Sequence, residues 1–219
     1  MSYFSVSVII PNWNGMELLK DCLFSLQKQT AKNFEIIVVD NGSTDKSVDF
    51  VRKNFSQIKI VQLEKNYGFA KAINEGVKSS TSKYVAFLNN DTAVDRNWLK
   101  ALLTCVRGHP NVASISSKLL NFYDREKIDG LGIEVNEVGQ AKSIGWEQKD
   151  KGQFEKERYV FGATGGAALF DREIFIKVGL FDESFFMYSE EVDWAFRAQF
   201  QGYESLYCPG IDIFMHIKL

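Results

Sequence analysis

The chain has 219 residues, of which 45% are hydrophobic and 25% are charged, and its formal net charge is −2. These values are ordinary for a globular domain, and the length is enough to bury a core without structural metals or disulfides. No basic stretch favours binding to nucleic acid. No apolar run approaches the roughly 20 residues that a helix needs to span a membrane.

The three cysteines, Cys22, Cys105 and Cys208, lie far apart in the sequence and are odd in number. Their spacing indicates neither a disulfide framework nor a zinc site. Cys22 and Cys105 occupy apolar positions of helical patterns, so we expect buried thiols there. Unpaired cysteines are typical of a reducing compartment, which predicts a cytoplasmic protein.

Four apolar runs in the first 92 residues lead into clusters of Asn, Asp and Gly, the third after a short gap. They cover residues 7–10, 36–39, 58–61 and 84–88. Continuous β-branched runs predict strands that are buried on both faces, as in a parallel sheet. Helical patterns between the runs predict right-handed βαβ units. The carboxyl ends of parallel strands share one edge, where ligands bind, so we expect the polar clusters to meet there.

The second half of the chain has a different pattern. Glycines and charged residues interrupt 121–158, which predicts turns and short antiparallel strands. Small residues then precede a strand, a helix begins near Asp171, and another follows Ser189. A strand-like run ends at His216, and the abrupt stop soon afterwards is typical of a trimmed C-terminus.

The carboxylates and carboxamides of the polar clusters are suited to binding a nucleotide, whereas the common glycine motifs for nucleotides are absent. No G-x-G-x-x-G follows the first run and no Walker loop occurs, which argues against classical NAD binding and P-loop chemistry. Asp40 is a candidate acceptor for a nucleobase N–H or a ribose hydroxyl, or else it caps the turn that follows. For Asn12 and Asn14, a ligand contact and a tight turn after Pro11 remain equally open.

Two further sites contain groups that bind metals or transfer protons. Asp91, after Asn89 and Asn90, is well placed for a divalent cation, which takes one or two carboxylates plus phosphate oxygens, although Asn-Asp pairs also cap helices. His216 is either a core residue or a nitrogen ligand of the same cation.

Glu190, Glu191 and Asp193 form a second acidic group. Acids favour helix N-termini for electrostatic reasons alone. Aromatic neighbours indicate a shielded pocket, however, and shielding raises the pKa of a carboxylate towards that of a useful base. The sequence leaves the balance between these two effects open.

The combination of motifs resembles the family 2 glycosyltransferases with the GT-A fold, especially their rhamnosyltransferase-like branch. The matching segments are 7–15, 38–45, 66–70, 88–92, 179–188 and 190–194. The resemblance implies an α/β fold with an open, mostly parallel nucleotide-binding sheet flanked by helices and a smaller antiparallel part on the acceptor side. It implies one domain over 1–219, with a nucleotide-sugar half at 1–117 and an acceptor half at 118–219.

The resemblance also implies roles for individual residues. The donor-binding residues are Pro11, Asn12, Asn14, Asp40, Asn66, Gly68, Asn89 and Asn90. The family's D-x-D metal motif falls on Asn89 to Asp91, with Asn in place of the first acid, so that Mn²⁺ or Mg²⁺ binding depends on Asp91 and His216. The catalytic Glu-Asp pair falls on Glu190 and Glu191, which makes Glu191 the base and leaves Asp193 as a second candidate.

The expected activity is an inverting transfer from a nucleotide-diphosphate sugar to a hydroxyl of a carbohydrate or lipid-linked saccharide, in cell-surface polysaccharide synthesis. This is compatible with peripheral association at the inner face of the membrane. A sugar-binding module without catalysis remains the alternative. A nucleotidyltransferase is disfavoured, because Pro11 to Gly15 includes no Arg or Lys.

Overall fold

The computed structural model describes residues 5–215, and at 211 and 212 the backbone alone. Within that range the strands are β1 (Val6–Asn12), β2 (Phe34–Asp40), β3 (Lys59–Gln62), β4 (Tyr84–Leu88), β5 (Thr92–Val94), β6 (Val112–Asn121), β7 (Ile128–Gly130), β8 (Ile133–Val135), β9 (Ala141–Ser143), β10 (Arg158–Val160), β11 (Ala167–Asp171) and β12 (Glu204–Met215). The α-helices are α1 (Met16–Gln27), α2 (Ser47–Asn54), α3 (Phe69–Ser79), α4 (Trp98–Cys105), α5 (Arg172–Val178) and α6 (Glu190–Phe200).

The first four predicted strands form the parallel part of a large mixed sheet. The sheet order is β10-β12-β6-β11-β4-β1-β2-β3. β1 pairs in parallel with both β2 and β4, and β2 pairs in parallel with β3. β11 is antiparallel to both β4 and β6, and it joins the first half of the chain to the second. The fold class predicted from the sequence is confirmed.

Helices cover both faces of the sheet, which explains why its strands are continuously apolar. Val8 and Ile10 pack on one face into a cluster that includes Leu23 of α1 and Trp98 of α4. Ile9 points the other way, into a second cluster formed with α3, α5 and α6. Successive residues of a strand alternate between faces, so every residue of such a run needs an apolar side chain.

The stretch 121–158 contains the short antiparallel strands that its composition predicts. β7 pairs with β6, and β8 pairs with β9 in a separate two-stranded sheet. β12 runs parallel to β6 and also pairs with β5, the strand that begins directly after Asp91. Among the helices of residues 5–215, none combines the length and apolarity that a membrane crossing requires.

The structure corrects the expectation about the cysteines. Cys22 is a buried free thiol, as predicted. Cys105 and Cys208, however, form a disulfide across 103 residues of sequence, and it connects α4 to β12. Spacing could not show this, because the two residues meet only through the packing of α4 on β12. The cysteines therefore do not indicate a reducing compartment.

Asn74 of α3 positions the segment that leads towards α6. Its side chain is 1% exposed. Its Oδ1 accepts from the N–H of Phe181 at 3.1 Å, and its Nδ2 donates to the carbonyl of Phe181 at 2.9 Å and to Glu183 Oε1 at 3.1 Å. One side chain thus satisfies both backbone groups of a buried loop residue.

Asn74→Ala leaves both backbone groups of Phe181 without their partner, so it should lower the free energy of unfolding by about 1–3 kcal/mol. Asn54→Ala is the matched control, because that exposed side chain donates a single bond to the carbonyl of Phe50, and its cost should stay within about 0.5 kcal/mol. Urea unfolding of the two variants tests this, and equal midpoints would contradict the anchoring role.

Candidate active site

The ends of β1, β2 and β4 are connected by the side chain of Asn12, which is 2% exposed. It accepts a hydrogen bond from Asn90 Nδ2 at 2.8 Å and donates one to the Ser43 hydroxyl at 3.3 Å. Its backbone carbonyl accepts from the N–H of Asn41 at 2.7 Å. Buried polar groups need hydrogen-bond partners, and here the residues at the strand ends are partners of one another. We call the loops that follow β1 to β4 the strand-end rim.

Asn14 organises the turn of the rim after β1. Its φ is 49°, in the left-handed region. Its Oδ1 accepts from the N–H groups of Thr44 at 2.7 Å and Asp45 at 3.2 Å. Asp45 in turn accepts from the N–H groups of Met16 and Ser47, at the starts of α1 and α2. The side chains of Asn14 and Asp45 therefore hold loops and helix starts in place.

A cleft of about 530 Å³ opens beside this turn. Of the predicted site residues that fall within 5–215, only Asn14 lines it. The other lining residues are Gly15, Met16, Glu17, Leu18, Thr44, Asp45 and Lys46. It therefore lies next to the rim, on the side where α1 and α2 begin.

Asp40 presents an unsatisfied acceptor at the rim. In the register of β1 and β2 it lies opposite Asn12, and Pro11 lies opposite Val39. The carboxylate is 2% exposed. Its Oδ2 accepts from the N–H of Ser43 at 3.3 Å, whereas its buried Oδ1 has no hydrogen-bond partner among the described residues. Leaving a buried acceptor unpaired costs free energy, so Oδ1 is suited to an N–H or hydroxyl of a ligand.

The loop after β3 is built around Asn41 and Asn66. Asn41 Nδ2 donates to Asn66 Oδ1 at 2.9 Å and to the carbonyl of Gly68 at 3.0 Å. Asn41 Oδ1 accepts from the N–H of Tyr67, and Asn66 Oδ1 from that of Gly68, both at 2.9 Å. These bonds fix the third loop of the rim against the second.

Gly68 brings this loop against the segment before α6. Its φ is +90°, and a Cβ at this position would overlap the carbonyl oxygen of Phe186. That oxygen accepts a hydrogen bond from the N–H of Phe69 at 2.5 Å. Only glycine combines this backbone conformation with such a close approach. The contact joins the rim to the part of the chain that contains the acidic residues.

Asp91 is a half-buried carboxylate at the end of the fourth loop. Its pKa is raised to about 6, mainly by burial and to a smaller extent by the charge of Asp129 on β7. The hydroxyl of Thr92 donates to its Oδ1 at 3.4 Å. Asn89 is held by its backbone N–H, which donates to the carbonyl of Gly166 at 2.9 Å. Within the described residues, no cation forms an ion pair with Asp91.

The donor set at Asp91 fits a cation that is shared with a ligand. Within residues 5–215, no three His, Cys, Asp or Glu side chains form a metal cluster. A divalent cation such as Mg²⁺ nevertheless needs only one or two carboxylates when phosphate oxygens of a ligand complete its coordination, and a carboxylate without a cationic partner can supply one of them. His216, the other predicted ligand, lies outside the described residues.

The first turn of α6 places two glutamates side by side. Glu190 is 3% exposed, and Glu191 is partly buried. Burial raises the pKa of both carboxyl groups, and the charge of Glu191 raises that of Glu190 further. The sequence left open whether shielding or the helix N-terminus dominates. In the structure shielding dominates, and it shifts Glu191 in the direction that suits a general base.

Asp193 is engaged elsewhere. Its Oδ2 accepts from Arg197 Nε at 2.9 Å and lies 2.8 Å from Arg197 Nη2. The same guanidinium donates to the carbonyls of Val178, Gly179 and Leu180. By holding Arg197 in place, Asp193 thus helps to connect α6 to the loop after α5.

The chain enters α6 through an exposed and strained segment. Phe186, Tyr188 and Ser189 all have positive φ values, of 48°, 73° and 72°. The side chains of Phe185 to Tyr188 are exposed. Non-glycine residues rarely adopt this conformation, and where they do it often marks a functional segment.

Two residues of the site were missed as candidates from the sequence. Asn41 was visible only as a neighbour of Asp40. Asp129 gave no signal at all, because it lies among the glycines of a stretch without a motif.

The model of the glycosyl transferase family 2 matches residues 7–179. The chain belongs to glycosyltransferase family 2. It is 28% identical over 207 residues to the O-antigen biosynthesis protein RfbC of Myxococcus xanthus, covering 90% of this chain and 16% of RfbC. It is 28% identical over 216 residues to the low-salt glycan biosynthesis hexosyltransferase Agl10 of Haloferax volcanii, covering 94% of this chain and 66% of Agl10. The chain thus spans only part of these relatives.

Two solved structures show that this family 2 glycosyltransferase has the GT-A fold. GalNAc-T7 with UDP, GalNAc and Mn²⁺ superposes with a TM-score of 0.82 at 17% identity, over 99% of this chain and 44% of that one. The mannosyltransferase PcManGT from Pyrobaculum calidifontis, in complex with GDP-Man and Mn²⁺, superposes with a TM-score of 0.72 at 18% identity, over 99% of this chain and 58% of that one.

The shielding of Glu190 has a consequence for stability. A carboxyl group whose pKa is raised by folding contributes stability that is present below its unfolded-state pKa and is lost as the pH rises through the folded-state pKa. Glu190→Gln removes a titrating group, so its melting temperature should exceed that of the wild type at pH 8 and not at pH 4.5. Thermal unfolding at both pH values tests this.

Glu173→Gln is the matched control, because Glu173 also lies in the first turn of a helix but is exposed. It should show no comparable gain at pH 8. An equal gain of the Glu190 variant at both pH values would contradict the assigned cause.

Proposed function

We propose that this glycosyltransferase moves a sugar from a nucleotide-diphosphate donor to a saccharide hydroxyl with inversion at the anomeric carbon. The observation that supports it best is the pairing of a polar rim, with the unsatisfied Asp40 Oδ1, and a shielded carboxylate at Glu191. UDP and GDP-Man in the two similar structures support a nucleotide donor. Names such as RfbC support a role in cell-surface polysaccharide synthesis.

In this mechanism the rim binds the donor. Asp40 Oδ1 accepts from the nucleoside, while Asn66 and Gly68 line the base or ribose. Asp91 would hold a divalent cation, Mn²⁺ or Mg²⁺, which when bound offsets the charge of the diphosphate leaving group. The Mn²⁺ in both similar structures supports this.

Glu191 acts on the acceptor. It removes the proton of the attacking hydroxyl as that oxygen bonds to the anomeric carbon from the face opposite the diphosphate. Its burial keeps water from competing for the proton, and its raised pKa makes it an effective acceptor. Asp193 is the weaker candidate, because its carboxylate is already paired with Nε and Nη2 of Arg197.

A binding module without catalysis is the second candidate. It is favoured by Asn89, which stands where the family's metal motif has its first acid. The acceptor in either case is a carbohydrate or a lipid-linked saccharide, and a cytoplasmic location at the membrane surface stays a prediction. Turnover distinguishes the two candidates.

The donor and its cation are identified by thermal shift with a panel of UDP-glucose, GDP-mannose and dTDP-rhamnose, each with and without Mn²⁺. The correct donor at about 100 times its Kd should stabilise the wild type by about 2.7 kcal/mol. Asp91→Asn should lose the Mn²⁺-dependent part of the shift. Asp49→Asn, an exposed acid in the first turn of α2, should keep it. A full Mn²⁺ effect in the Asp91 variant would rule out the assigned ligand.

Glu191→Gln should bind the donor nearly as the wild type does but lose about 10²–10⁴-fold in turnover, because a positioned base contributes that much to the rate. Release of nucleoside diphosphate from the donor found above measures it, with Glu173→Gln as the control. Wild-type turnover by the Glu191 variant would overturn the assignment, and a wild type that binds donor without turnover would favour the binding module.

A further inference from the structure

The carboxyl groups of Glu190 and Glu191 are largely shielded from solvent. Each has an Oε2 that is buried and has no hydrogen-bond partner within residues 5–215. The two residues are adjacent in the first turn of α6, and the charge of Glu191 and a hydrogen bond between the side chains both raise the pKa of Glu190. Two neighbouring ionised carboxylates repel each other strongly in a site of low dielectric constant.

Within the part of the chain that the structure describes, no cation forms an ion pair with either carboxylate. One helical turn after Glu190, Trp194 stacks on Phe175 with ring centroids 5.1 Å apart and meets the ring of Phe170 at 5.2 Å. Among the described residues, each glutamate is the only charged side chain that shifts the pKa of the other. The nearby Arg197 is already paired with Asp193. Backbone hydrogen bonds lower both pKa values less than burial raises them, so a shared proton is a further way to lower the repulsion.

We propose that Glu190 keeps a proton while Glu191 is ionised, and that its O–H donates a hydrogen bond that positions Glu191 as the base. The proposal rests on the function proposed above. Glu190 is buried as a residue, and the charge of Glu191 adds to the effect of burial in raising its pKa, so Glu190 is the less able to ionise. Burial raises the pKa of Glu191, but the hydrogen bond from Glu190 lowers it and so favours the anion of Glu191 over that of Glu190. Glu190 is thus a positioning residue.

The proton of Glu190 stays in place during the reaction. The acceptor hydroxyl gives its proton to Glu191, its oxygen forms the bond to the anomeric carbon, and the bond from that carbon to the diphosphate oxygen breaks. The electron pair of the broken bond leaves with the nucleoside diphosphate. Afterwards Glu191 returns its proton to solvent, so that the pair again holds one proton.

Infrared difference spectroscopy at pH 7 tests the protonation without any substrate. The carbonyl stretch of a protonated carboxylic acid should be present in the wild type and in Glu191→Gln, and absent from Glu190→Gln. Absence of the band from the wild type, or its persistence in the Glu190 variant, would overturn the proposal. This measurement stands even if no donor of the panel is turned over, in which case only the proposed function fails.

Kinetics test the positioning role, with the donor that the panel identifies. Glu190→Gln still donates a hydrogen bond and cannot ionise, so its turnover at pH 7 should stay within a few-fold of the wild type and should no longer fall at alkaline pH. Glu190→Leu lacks the donor and should lose up to about 10²-fold in kcat, with the KM for the donor unchanged. An alkaline fall that persists in Glu190→Gln, or a Leu variant as active as the wild type, would show that Glu190 is merely structural.

Discussion

Parallel strands buried on both faces end in polar groups that must find partners away from water, and Asn12 meets this requirement for three strands at once. Its side chain joins Ser43 after β2 and Asn90 after β4. Because such groups are costly to leave unpaired, the loops of the rim are fixed relative to each other before any ligand arrives. Among the described residues, Asp40 Oδ1 is the exception, and an acceptor left unpaired within an otherwise satisfied network is where a ligand gains most from binding.

The two halves of the site depend on each other through a backbone contact. Gly68 and Phe69 of the rim meet the carbonyl of Phe186, and Asn74 holds Phe181 a few residues earlier. The strained entry into α6 is thus supported by the rim. We expect a change at the rim to alter the position of Glu191, because the segment between Phe181 and α6 connects them.

The acidic residues of α6 illustrate how adjacent groups acquire different roles. Asp193 is solvated enough to pair with Arg197 and serves the structure. Among residues 5–215, Glu190 and Glu191 have no such partner, and their burial works against ionisation. Burial of such carboxyl groups costs stability at neutral pH, but the raised pKa that results is well suited to proton transfer.

The sequence by itself determined the strands, their parallel order in βαβ units and the rim, because apolar periodicity and strand-end polar clusters are local features of the chain. It also supplied the family, since its motifs are specific in combination. Only the tertiary structure decided that Cys105 bonds to Cys208, that Asp129 lies near Asp91 and that Asp193 belongs to Arg197. Each of these depends on which distant side chains meet, and the balance between shielding and helix dipole at Glu190 and Glu191 depends on solvent exposure, which packing alone sets.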